Sequence, residues 1–151
     1  MKNLKNNRYV ILEIIPTKIS NGDIAQISAL KINKLKLEDR FDYRLDKDKI
    51  DVADILKITN YDNDKFKYVK TTNEIKRKFK EFIGNLPLLI IDNLYTNNYL
   101  ECFKNDKYSI FDYLNLSVSD MVFDELIKKY NLVPSNHLVD LLYEALIMEY
   151  N

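Results

Sequence analysis

The chain has 151 residues, 46% of them apolar, and its 23 basic side chains balance 23 acidic ones. That length is enough for one domain with a packed core, and the balance of charge excludes a chain-wide positive field that would draw it to nucleic acid. A single cysteine, Cys102, excludes an internal disulfide and suits a reducing compartment. No apolar run reaches the ~18–20 residues of a membrane span. The opening M-K-N-L-K-N-N has no apolar stretch of the signal-peptide kind. A cytoplasmic protein without a membrane partner is the expectation, with a loose tail over residues 1–7 and one domain over 8–151.

Residues 9–15, Y-V-I-L-E-I-I, form a short apolar run rich in β-branched side chains and closed by Pro16. This predicts a strand buried on both faces, and a carboxylate inside it, Glu13, is costly unless paired or bound to metal. Ser20-Asn21-Gly22-Asp23 is a turn signal. A second strand is predicted over 24–36 and a third over 40–45, the three making a meander. Residues 46–72 are charged and rich in Asn and Asp, a surface excursion with a short helical stretch near 52–58.

Residues 73–83 predict a helix. Thr71 or Thr72 can cap it, Glu74 lies in its first turn and Gly84 stops it. Ile75, Phe79, Phe82 and Ile83 share one face, and Lys76, Arg77, Lys78 and Lys80 the other. The basic face is either solvated or placed to touch phosphate. Residues 86–91, L-P-L-L-I-I, predict a second fully buried strand. A helix over 97–103 puts Cys102 on an apolar face, as core. One more strand over 108–113, a helix over 120–130, a loop over 131–136 and a last helix over 137–150 complete the chain. Strands alternating with helices give an α/β fold with helices on both faces of a mixed sheet.

Several strings, in this order, carry a resemblance. They are Y-V-I-L-E-I-I-P-T, G-D-I-A-Q-I-S-A-L-K-I, L-K-I-T-N-Y-D, T-T-N-E-I-K-R-K-F-K-E-F-I-G-N, L-P-L-L-I-I-D-N and F-D-E-L-I-K-K-Y-N-L-V-P-S-N-H. From about Arg8 to Tyr150 the chain resembles the DnaQ-like (DEDDh) 3′–5′ exonucleases of the ribonuclease H-like superfamily. The resemblance implies a five-stranded mixed sheet with residues 9–15 central, between 24–36 and 86–91. It also implies four carboxylates holding two metal ions ~3.5–4 Å apart and a histidine acting as general base.

Carried over by position, the first acid falls on Glu13, the second on Ile15, the third on Asn97 and the fourth on Leu142, while the histidine falls on His137. Ile15 and Leu142 cannot bind a hard cation, and Asn97 offers one neutral oxygen. The reading that follows is a catalytically degenerate member of this fold. It would act without cofactor as a binding or interaction module, its partner a protein or a single-stranded nucleic acid held weakly through Lys76, Arg77, Lys78 and Lys80. The alternative is a working magnesium- or manganese-dependent exonuclease whose ligands have moved to Glu13, Asp112 and Asp140, with Asp92 also near a motif strand. A plainer role for His137 is a helix cap.

Overall fold

The structure is a computed structural model that describes residues 3–16, 24–46, 66–114, 116, 122–134 and 137–151. The elements in chain order are β1 (Arg8–Pro16), β2 (Ile24–Asn33), β3 (Lys36–Leu45), β4 (Lys67–Val69), α1 (Thr72–Ile83), β5 (Leu88–Ile90), α2 (Leu94–Leu100), β6 (Lys107–Ser109), α3 (Ile110–Leu114), α4 (Val122–Tyr130) and α5 (Leu138–Tyr150). The strands form one six-stranded mixed sheet in the order β4-β3-β2-β1-β5-β6. Only β2 runs against the others, since β1–β2 and β2–β3 are antiparallel and the remaining pairs parallel. β1 lies between β2 and β5, the neighbours expected for it.

Alternation along β1 divides the core. Val10, Leu12 and Ile14 face α1, packing with Ile75, Phe79 and Ile83 and with Leu100 and Phe103 beyond. Tyr9 and Ile11 face the other way, onto Leu138, Leu141, Leu142, Ala145 and Leu146 of α5 and onto Leu126 and Tyr130 of α4. Helices therefore cover both faces, which is why the strand reads as a continuous apolar run rather than an alternating one.

The sheet has six strands where five are expected. The additional one, β4, is three residues long and pairs with the end of β3. The second and third strands meet in a tight hairpin whose turn residues, Lys34 (φ 52°) and Leu35 (φ 67°), are left-handed without being Gly or Asn. Tertiary contacts hold this strained turn: Lys34 N–H donates to the Asn7 carbonyl (3.0 Å), and the Tyr143 hydroxyl donates to the Leu35 carbonyl (2.8 Å). The expected strand over 108–113 ends at Ser109 and continues as α3. The helix expected over 97–103 starts earlier, at Leu94, because Asn93 Oδ1 accepts the Thr96 N–H at 2.9 Å. Residues 1–7 are not a loose tail throughout, since Leu4–Asn6 form a 3-10 turn and Leu4 is buried in the α5-side core. The turn at 20–23 and the helical stretch near 52–58 lie outside the described residues.

α1 begins and ends as its sequence dictates. Thr71 Oγ1 accepts the Glu74 N–H (3.1 Å), and Gly84 closes the helix with its N–H on the Lys80 carbonyl (3.1 Å). Gly84 sits at φ 52°, ψ −124°, a region open essentially to glycine. A Cβ there meets nothing within 4 Å, so the cost of Gly84→Ala is purely conformational. The expected loss is ~1–3 kcal/mol, read from the urea midpoint at unchanged slope.

Candidate functional site

The register assembles a polar row on the α5 side of the sheet. Glu13 of β1 is opposite Ser28 of β2, and Ser28 is opposite Asp42 of β3. Flanking rows run Ile11–Leu30–Arg40 and Ile15–Gln26–Arg44. β3 thus presents Arg40, Asp42 and Arg44 on this face, while Phe41, Tyr43 and Leu45 turn to the other.

His137, the N-cap residue of α5, closes over Asp42. Its Nε2 lies 3.2 Å from Asp42 Oδ1, and its Nδ1 lies 3.1 Å from Asp140 Oδ2, one turn into α5. Arg40 completes a ring. Its Nε donates to Asp42 Oδ2 (3.0 Å), and its Nη1 and Nη2 donate to the two Asp140 oxygens (2.9 and 3.3 Å). Two cations and two carboxylates alternate, and their formal charges cancel. The His137 and Asp42 side chains are each only 8% exposed, so bulk water screens their contact little.

Titration follows from this geometry. Burial opposes a charge on His137, but the carboxylates of Asp140 and Asp42 outweigh it and push its pKa up to about 9. Burial likewise opposes charge on Asp140, but His137 and Arg40 hold its pKa down at about 2. Asp42 is lowered on the same balance, burial against His137 and Arg40. At neutral pH the imidazole is therefore an imidazolium. It already carries the proton that a general base would have to accept.

The remaining sequence candidates are dispersed. Ile15 and Leu142 are buried, at 5% and 0% exposure, Leu142 in the α5-side core and Ile15 against Phe66. The Phe66 ring stacks on His137 (centroids 6.2 Å apart, 29° between planes) and carries the buried Arg44 guanidinium 3.9 Å above it. Asn97 is exposed and donates to Asp92 Oδ1 (2.7 Å). Asp112 is exposed on α3, which follows β6, four strands from β3 and thus ~19 Å of sheet away. Glu13 is half-buried, two strand spacings or ~10 Å along the row from Asp42. Cys102 is exposed just past α2 instead of core, its Sγ donating to the Tyr99 carbonyl (3.7 Å).

On α1, Arg77 pairs with Glu81 (3.3 Å), and Lys76 lies beside the Phe103 ring and Lys78 beside Tyr43, while Lys80 is exposed.

Sequence reasoning singled out His137 and Asp140 but missed Arg40 and Asp42. The signal available for them is R-F-D-Y-R-L, where charges at period two share a strand face with buried positions. The donor set does not fit the two-metal centre implied by the resemblance. Two of its positions are apolar and buried, and the acids of the ring are neutralised by Arg40 and His137. Among the described residues, no group of three or more His, Cys, Asp and Glu side chains is arranged to hold a metal ion, and no helix is long and apolar enough to cross a membrane.

A scan against protein-family models finds no match, and a search of curated proteins finds none either.

Proposed function

We propose that this chain is a catalytically silent protein of the DnaQ-like exonuclease type, working as a binding or interaction module. One observation carries the reading: the histidine aligned with the family's general base is held between the carboxylates of Asp42 and Asp140, which favour its protonated form. The substitutions at Ile15, Asn97 and Leu142 point the same way. So does the neutral ring, which offers a divalent cation no net negative charge. The sheet order, with β1 between the reversed β2 and the parallel β5, supports the fold assignment. The reading with relocated ligands draws no support from Asp140, because both of its oxygens are engaged by Arg40.

The test is direct. Millimolar magnesium or manganese is expected to leave the melting temperature unchanged, because an ion that does not bind the native state cannot stabilise it. A 3′-labelled single strand is expected to stay full length. A melting temperature that climbs with manganese, together with trimming that disappears in His137→Ala, would overturn the proposal.

A further inference from the structure

β3 is incompletely covered. β4 pairs with it only from Tyr43 to Leu45, which leaves the stretch from Lys36 to Asp42 without a strand partner on its outer side among the described residues. The Arg40 N–H shows which way the backbone points there, being accepted by the Asp39 carboxylate (2.8 Å) instead of by β2. Alternation turns the backbone groups of Asp42 outward as well.

An open groove of about 690 Å³ follows this edge. Five consecutive β3 residues, Asp39 to Tyr43, line it together with Lys31, Lys67, Lys78, Glu81 and Phe82. The register places Lys31, Asp39, Phe41, Tyr43 and Lys67 on the α1 face with Lys78, Glu81 and Phe82 of α1, so the groove lies on that face and reaches the edge at Arg40 and Asp42.

Lys31, Arg40, Lys67 and Lys78 face Asp39, Asp42 and Glu81 in its lining, but two of these acids are already paired. Asp42 is engaged by Arg40 and His137, and Glu81 by Arg77. Lys31, Lys67 and Lys78 make no salt bridge among the described residues. Each instead rests near an aromatic ring, Lys31 Nζ 4.5 Å from the centre of Phe82 and Lys67 and Lys78 Nζ each 5.8 Å from that of Tyr43. Asp39, which also accepts the Arg40 N–H, opposes the three ammonium groups from within the groove, and Glu38 acts on Lys31 from outside it.

We propose that this edge accepts an extended acidic segment of a partner protein, added as a strand beside β3. Its backbone would pair with the outward groups of Arg40 and Asp42, and its carboxylates, at alternate positions on the α1 face, would meet Lys31, Lys67 and Lys78. Strand addition draws affinity from the ladder and specificity from alternate side chains. A peptide is favoured over a single-stranded nucleic acid because only a peptide can complete a strand's hydrogen bonds. The proposal rests on the binding-module reading and names its partner chemistry; its failure would leave the manganese and trimming tests untouched.

Fluorescence anisotropy with the full chain tests it. The probes are a labelled peptide alternating glutamate with valine, a second alternating glutamate with proline, and a single-stranded oligothymidylate. The glutamate–valine peptide is expected to bind saturably. The proline peptide carries the same charge without the alternate N–H donors and should bind at least about tenfold more weakly. Reversing Lys31, Lys67 and Lys78 to glutamate should cost a similar factor, while reversing Lys76 and Lys80, which do not line the groove, should change affinity little. Should the groove reversal lower the melting temperature, the glutamine versions carry the comparison. Equal binding of the two peptides, no saturable binding, tighter oligothymidylate binding through the same lysines, or a dimer at this edge that excludes the peptide would each overturn the proposal.

Discussion

Asp42→Asn is expected to cost ~3 kcal/mol of stability, equivalent to ~6–12 °C in melting temperature for a chain of this size. The substitution keeps the shape of the side chain and removes the charge that faces both His137 and Arg40. Breaking one member of a buried pair costs more than the pair contributes, because the partner left behind is a buried, uncompensated charge. Asp140 cannot take up the slack, being already shared between Arg40 and His137. The His137 pKa should fall from about 9 towards its ordinary 6.5, and the chain's single histidine makes this an unambiguous NMR titration. A loss within the scatter of surface substitutions, with the imidazole titration unmoved, would mean that the ring does not couple β3 to α5.

The pH dependence of stability carries the second large effect. His137 has its pKa raised on folding, from 6.5 to about 9. Its contribution is complete below about pH 6.5 and is lost as pH rises through about 9. Asp140 has its pKa lowered, from 3.8 to about 2, so its contribution is complete above about pH 4 and is lost as pH falls through about 2. Asp42 is shifted in the same direction as Asp140.

Stability should therefore be flat between about pH 4 and 6.5 and decline on both sides. The alkaline decline amounts to ~3 kcal/mol. The acid side reports the same contacts seen from the other partner, so the two losses do not add. Tyr9 and Tyr99, both raised by burial, bring a further loss only above the ordinary tyrosine value of 10.0. Urea titrations from pH 2 to 9.5 would trace the profile, and in His137→Gln the decline between pH 6.5 and 9 should vanish. A wild-type curve that keeps rising over that interval would contradict the assignment.

What could be read from the sequence follows the range of the interactions. β1 and β5 announce themselves because both faces are buried and the run is continuously apolar. α1 does so because Thr71, Glu74 and Gly84 are local signals acting within a turn of where they stand. The hairpin after β2 is hidden because Lys34 and Leu35 lack the usual turn chemistry and are held by Asn7 and Tyr143, the latter 108 residues away. β4 is too short to show a period. At the site, His137 and Asp140 stand out as neighbours on one helix, but their partners are 95 and 100 residues distant. Only the pairing of β3 with β2 brings Arg40 and Asp42 beneath α5, and that register is a property of the folded sheet.

The central position of β1 has a consequence for the chain before it folds. Its two ladder neighbours emerge from the ribosome far apart: β2 follows at once, but β5 begins only at Leu88. For that interval one edge of Y-V-I-L-E-I-I lies open, and such a run readily stacks with copies of itself on neighbouring nascent chains. Glu13 is its only charge. In-register stacking of identical strands would set each Glu13 against another, a repulsion repeated at every added copy. A carboxylate in this strand thus opposes its pairing in register with copies of itself while that edge is open.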